Sequence, residues 1–361
     1  MENAGYMKLF ASHIVVLVLS IFLPVTLINA QNRKDNSAKQ IYTDARKQFL
    51  AYERKHGAFV QTKNVNMHYL SWGDPANPCL IWAHGSMNNG YELLDVADNL
   101  VKAGYYVIAI DYYGHGQTPL PDHDVSIYHV ADDIKFLMDK LSIEKAFIGG
   151  FSRGGYVATA FYDAYPKNVL GLILEDGGSV AANTYYQKLD VEKLTSHARS
   201  FDSKQSAPWD STYPTAFEAF HSLYDKSDTS SQFPIFALLK EDKTGAWEIV
   251  YSQMMKLFNL ENSQQFLDLT LRPLRVPLFA RSMVMMDPQV IFRNLDVPIL
   301  ILDPISDHDP MPFEKENEAL KKAHPEEISY IVYPGIEHNV HYAQPEKFTK
   351  DVIRFLNAVN H

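Results

Sequence analysis

Short runs of apolar residues punctuate the chain, and most are separated by stretches whose apolar positions recur at helical spacing. Leu80–Ala83, Tyr106–Ile110, Ala146–Ile148 and Val169–Leu174 are continuously apolar and read as strands. Between them, Tyr91–Ala103 and Val125–Leu141 read as helices, and a helix after Ser152 ends at Pro166. Runs of this kind, apolar on both faces, predict a mostly parallel sheet covered on both sides. Upstream, Ile41, Ala45, Phe49 and Tyr52 recur at helical spacing. Phe59-Val60 and Val65–Tyr69 alternate like strands, with Lys63-Asn64 as the turn between them.

The alternation stops between Val180 and Phe292, a stretch rich in aromatics and without strand runs. It resumes at Val297–Leu302, continues through a helix at Phe313–Ala323 and a strand at Ile328–Tyr333, and closes with a helix at Pro345–Val359. An insertion of roughly 110 residues between two strands of one sheet predicts a helical cap over the strand ends, where open α/β sheets bind ligands. The expected organisation is an α/β core at 59–179 and 293–361 with the cap at 180–292, preceded by a leader and helix at 31–58. No internal repeat or low-complexity tract interrupts it.

The N-terminus follows a different pattern. Lys8 precedes an apolar run from Ile14 to Ile28, and Asn29-Ala30-Gln31 follows, which predicts an export signal over 1–30. The run is short for a membrane span, and His13 and Pro24 interrupt it, so the expectation is a periplasmic or secreted protein without a stable membrane span. Gln31–Lys39 is polar and reads as a mobile leader. Cys79 is the only cysteine, so an exported chain has no internal disulfide, and its place at the head of an apolar run makes it a strand residue. The net charge of -10 argues against a nucleic-acid partner.

Candidate chemistry centres on Gly150-Phe151-Ser152-Arg153-Gly154, a G-x-S-x-G pattern between a strand and a helix. Such a turn holds the serine hydroxyl out at the end of a sheet, with a helix N-terminus behind it. A serine hydroxyl needs a base, and the base needs an orienting carboxylate. His338 lies in the loop past the last strand, with His341 as a rival. The strand ending at Leu302 is followed by Asp303-Pro304-Ile305-Ser306-Asp307-His308-Asp309. Asp307 and Asp309 are the leading acids there; Asp303 and Asp176 lie nearer the ends of their strands.

With these residues in place the chain resembles the α/β-hydrolase fold superfamily, in its cap-containing serine-hydrolase form, over roughly Phe59 to Leu356. His84-Gly85, Asp111-Tyr112-Tyr113-Gly114-His115-Gly116, the turn at Ser152, Asp307 and His338 carry the resemblance. Tyr113 stands where the family commonly has arginine. The resemblance implies Ser152 as nucleophile, His338 as base and then acid, and Asp307 as its orienter, without cofactor or metal. The oxyanion hole would be formed by the backbone N–H groups of Arg153 and Ser86, with Met87 next. The Arg153 side chain either pairs with a helix or cap carboxylate or lines the pocket and favours an anionic substrate.

The expected function is acyl transfer on a small ester, lactone or related carbonyl substrate. Carbon–carbon bond hydrolysis, cofactor-free haloperoxidase chemistry or non-catalytic binding are the alternatives on the same residues. Serine at the turn disfavours the aspartate-nucleophile branches, epoxide hydrolases among them. Asp122-His123-Asp124 reads as a solvated loop, and Trp209, Trp247 and Met283–Met286 as cap core.

Overall fold

The computed structural model describes residues 24–202 and 211–360, with side chains from residue 37 onward except at 252. The predicted export signal therefore lies largely outside the described residues, as does Trp209. No described helix is long and apolar enough to cross a membrane.

Helix α1 (Pro24–His56) leads into a hairpin of β1 (Gly57–Gln61) and β2 (Asn66–Trp72). It takes in Gln31–Lys39, so the polar stretch expected as a mobile leader is helical. The alternating core follows: β3 (Cys79–Ala83), α2 (Ala97–Lys102), β4 (Tyr106–Ile110), α3 (Ile127–Lys140), β5 (Ala146–Phe151), α4 (Arg153–Ala164) and β6 (Val169–Glu175). After the cap come β10 (Ile299–Ile305), α12 (Glu314–Ala323), β11 (Ile328–Pro334), α13 (Val340–Ala343) and α14 (Pro345–Asn360).

The eight strands form one sheet in the order β1-β2-β4-β3-β5-β6-β10-β11. Only the β1–β2 and β2–β4 pairings are antiparallel. The interior strands β3, β4 and β5 are buried at every position, which is why their sequences are apolar without alternation. Register aligns their ends: Ala83 pairs with Gly150, Gly150 with Leu174, and Leu174 with Ile301. The loops that follow β3, β5, β6 and β10 therefore emerge side by side. Strand β10 runs three residues beyond Leu302, pairing through Ile305 with Pro334, and so shifts the start of the Asp307 loop outward.

The cap holds helices α5 (Thr184–Gln187), α6 (Val191–Arg199), α7 (Ala216–Leu223), α8 (Tyr251–Phe258), α9 (Ser263–Leu271), α10 (Leu278–Val284) and α11 (Pro288–Ile291). It also holds a small antiparallel sheet of β7 (Thr212–Tyr213), β9 (Trp247–Ile249) and β8 (Leu239–Glu241). The cap is helical, as expected, and carries this small sheet in addition. Strands of two or three residues are too short to print an alternating pattern in the sequence.

Helix α1 touches both parts. Tyr42 packs edge-on against Phe217 and Phe220 of the cap, and the Phe49 ring lies tilted against Phe236. On the core side Phe49 stacks on Tyr91, and Tyr52 accepts a hydrogen bond from Trp72 Nε1 at 2.8 Å. Glu53 accepts from Tyr91 Oη and pairs at 3.0 Å with His68, which also meets Asp111 at 2.7 Å. Burial lowers the His68 pKa, but Asp111 and Glu53 more than offset this and raise it to about 9.

Candidate active site

Ser152 sits between β5 and α4 with φ 52° and ψ -120°, a backbone state that costs on the order of 1–3 kcal/mol for a residue with a Cβ. Two things hold it there. Its N–H donates to Glu175 O at 2.8 Å, tying the turn to the end of β6. Glycines around it permit an approach that side chains would block: a Cβ on Gly154 would fall 2.0 Å from Ala83 O, and one on Gly150 2.3 Å from Gly154 C. The sequence spacing of these glycines is thus a packing requirement of the strand–turn–helix junction.

His338, in the loop after β11, places Nε2 3.0 Å from Ser152 Oγ. Its Nδ1 meets Oδ2 of Asp176, the residue immediately after β6. With the ring neutral, Nδ1–H donates to the carboxylate and Nε2 is left to accept the serine proton. Burial pushes the His338 pKa down to about 4, keeping Nε2 unprotonated at neutral pH. Asp176 is itself buried, at φ 43°, and burial together with the nearby Asp303 and Glu175 lifts its carboxyl well above the usual range.

Asp307, the expected orienter, does not meet His338. It lies exposed in the loop after β10, and both ring nitrogens of His338 are already engaged by Asp176 and Ser152. The physical reason is the extension of β10 to Ile305, which leaves a carboxylate two residues later outside the sheet end. Asp309 comes closer. Its Oδ1 accepts from Met311 N at 2.8 Å while Oδ2 is buried without a partner among the described residues, and burial followed by the Asp176 charge raises its pKa to about 7. Asp303 is buried beneath the site and accepts from Tyr330 Oη.

His341, the rival histidine, belongs to a second pair. Its ring Nδ1 and backbone N–H both meet Glu175, at 2.8 and 2.9 Å. Burial lowers its pKa, yet the Glu175 and Glu92 carboxylates overcome this and hold it above the ordinary value. The sequence reading missed Glu92 and Glu175. Glu92 is buried and accepts from Trp82 Nε1 at 2.7 Å, Gly85 N at 2.9 Å and Asn88 Nδ2 at 2.8 Å, bracing the loop after β3. An acid at the start of a helical segment carries no sequence signal of such burial.

Ser86 follows Gly85 in that loop, and its Oγ accepts from Arg153 Nη1 at 2.6 Å. Because Gly85 N–H is taken by Glu92, the next backbone donors on this side are those of Ser86 and Met87, which have no acceptor among the described residues; Met87 has φ 63°. Tyr113, the departure from the family pattern, donates to Asp133 Oδ2 at 2.6 Å and so secures α3 instead. Asp122 and His123 face solvent, and among the described residues no group of three or more His, Cys, Asp or Glu is arranged to hold a metal. A cavity of about 620 Å³ opens between core and cap above Ser152 and His338, walled by cap residues including Tyr186, Phe266 and Met283.

The arrangement matches known proteins at the level of the fold. A sequence model described as the alpha/beta hydrolase fold matches residues 78–345, and the chain belongs to that family. Among curated proteins it is similar to Epoxide hydrolase 1 of Caenorhabditis elegans, 30% identical over 32% of this chain and 29% of that protein. It is also similar to Epoxide hydrolase 4 of Homo sapiens, 27% identical over 32% of each chain. The chain thus aligns with under a third of the length of these two relatives. Among solved structures, a carboxylesterase of the thaumarchaeon Nitrososphaera gargenis superposes with a TM-score of 0.56 at 19% identity, covering 84% of this chain and 99% of that one.

Proposed function

We propose that the protein is a serine hydrolase that works by acyl transfer through Ser152, His338 and Asp176. The observation that carries this reading is the continuous relay from Ser152 Oγ to His338 Nε2, 3.0 Å, and from His338 Nδ1 to Asp176. Asp176 takes the place that the sequence assigned to Asp307. The epoxide hydrolase names of the relatives make hydrolysis the common theme, but the residue at the turn here is a serine, suited to carbonyl rather than epoxide attack.

In the first half-reaction Ser152 Oγ bonds to the carbonyl carbon as its proton passes to His338 Nε2. Negative charge collects on the carbonyl oxygen, facing the backbone N–H groups of Arg153 and Ser86. The bond to the leaving oxygen breaks, and that oxygen takes the proton from Nε2. In the second half, water gives a proton to Nε2 as its oxygen bonds to the acyl carbon. The Ser152–acyl bond then breaks, Oγ recovers the proton, and a carboxylic acid leaves. Asp176 holds the ring in the tautomer that both halves need.

A fluorophosphonate probe tests this reading. Expected are stoichiometric labelling at Ser152 and turnover of short p-nitrophenyl esters, both abolished in Ser152→Ala. Folded wild-type protein that neither labels nor turns over any ester or thioester would sink the reading.

A further inference from the structure

Arg153 is the one arginine or lysine among the described residues that line the cavity. Its guanidinium carbon sits 4.1 Å above the Phe258 ring, and Nη1 donates to Ser86 Oγ. Tyrosines 112, 156, 186 and 251 surround it, and burial lowers its pKa from the ordinary value. Among the described residues no carboxylate lies within ion-pair distance; Asp95, the only acid on the cavity wall, is exposed and unpaired with it. Of the five N–H donors of a guanidinium, one has an acceptor among the described residues.

A half-buried cation without a counter-ion carries part of its desolvation cost, and a helix start imposes no need for one. The cost is offset when a ligand brings the anion. Ser86 fixes the guanidinium beside the loop that borders the carbonyl site, so the anion it meets lies only a few bonds from the carbonyl. An anchor on the acyl portion remains bound through both half-reactions, whereas one on the leaving group is lost after the first.

We propose that Arg153 sets specificity for carbonyl substrates carrying a carboxylate on the acyl side, such as half-esters of short dicarboxylic acids. This rests on the acyl-transfer reading above. The apolar remainder of the cavity accommodates the leaving group, and the guanidinium receives the carboxylate in a bidentate pair.

The test compares mono-p-nitrophenyl glutarate with its methyl-capped neutral counterpart, on wild type, Arg153→Met and Arg153→Lys. Within each protein the neutral ester is the internal reference, so a general change in the site cancels. Wild type should favour the anionic ester in kcat/KM by about 10- to 100-fold. That preference should vanish in Arg153→Met and persist in part in Arg153→Lys. A second measurement requires no turnover: glutarate, but not glutaramide, should raise the melting temperature of wild type and not of Arg153→Met. Equal handling of both esters by wild type, or a preference unchanged in Arg153→Met, overturns the anion site and leaves the hydrolase reading standing. No turnover of either ester with the glutarate shift intact sinks the hydrolase reading and leaves the anion site standing.

Discussion

Two histidine–carboxylate pairs stand side by side at the end of β6, and they differ in nearly everything except their parts. Consecutive residues, Glu175 and Asp176, face His341 at the start of α13 and His338 in the loop after β11. His341 is buried on all sides, receives Trp82 and Phe348 edge-on, and has no partner for Nε2 among the described residues. His338 borders the cavity and presents Nε2 to Ser152. Charge separates them further: His341 is held above its ordinary pKa by two carboxylates, while burial drives His338 to about 4. A histidine beside an acid is therefore no sign of catalysis. What sets His338 apart is an Nε2 that borders the cavity and meets a serine hydroxyl, whereas that of His341 is enclosed in the core.

The largest effect expected from breaking this contrast is on turnover. His338→Ala should lower kcat by about 10⁴-fold or more, measured on the best ester, because the serine loses its base. Asp176→Asn should follow with a loss of roughly 10²- to 10⁴-fold, since an amide favours the wrong tautomer. Asp307→Asn, at an exposed position, should change kcat by less than about twofold. If Asp307→Asn were the damaging variant and Asp176→Asn the silent one, the sequence-based assignment of the acid would be restored.

The inner pair should respond in stability. His341→Ala leaves the buried Glu175 with the backbone N–H of residue 341 but without its imidazole partner, and a urea midpoint should report a loss of about 3 kcal/mol. An unchanged midpoint would mean that Glu175 finds another donor. A smaller effect lies in the acid limb of kcat/KM. His338 accepts a proton only when neutral, so activity should persist well below pH 6.5 and fall as pH drops through about 4.

A third buried histidine carries the opposite sign. His68 has a folded pKa of about 9, above its unfolded value, so its contribution to stability is complete below about pH 6.5. It is lost as pH rises through 9. Urea midpoints at pH 7 and pH 9.5 should differ by more in wild type than in His68→Gln, and equal differences would discard the assignment.

What the sequence made legible follows from locality. Ser152 and His338 are fixed by short stretches, a glycine-framed turn and a loop past the last strand, and neighbouring residues suffice to place them. Which carboxylate meets His338 depends on how far two strands extend. Three additional residues in β10 move Asp307 out of reach, and a left-handed residue after β6 brings Asp176 in. The sequence around it, Glu175-Asp176-Gly177-Gly178, offered a signal in retrospect. A Cβ on Gly177 would fall 2.0 Å from Ser152 O, so the glycine marks a chain turning back against Ser152. The buried acids Glu92 and Glu175 left no trace, because burial of a single charge within an apolar neighbourhood is decided by tertiary contacts alone.

Helix α1 has a consequence for where this protein can be shortened. The sheet begins at Gly57, and a boundary drawn there would look natural from topology. Yet Tyr42 and Phe49 brace Phe217, Phe220 and Phe236 on one side, while Glu53 anchors His68 and Tyr91 on the other. The helix is a third attachment of the cap to the core, independent of the two places where the chain passes between them. A fragment starting at the sheet would retain every residue of the proposed relay and lose the buttress beneath the roof of its cavity.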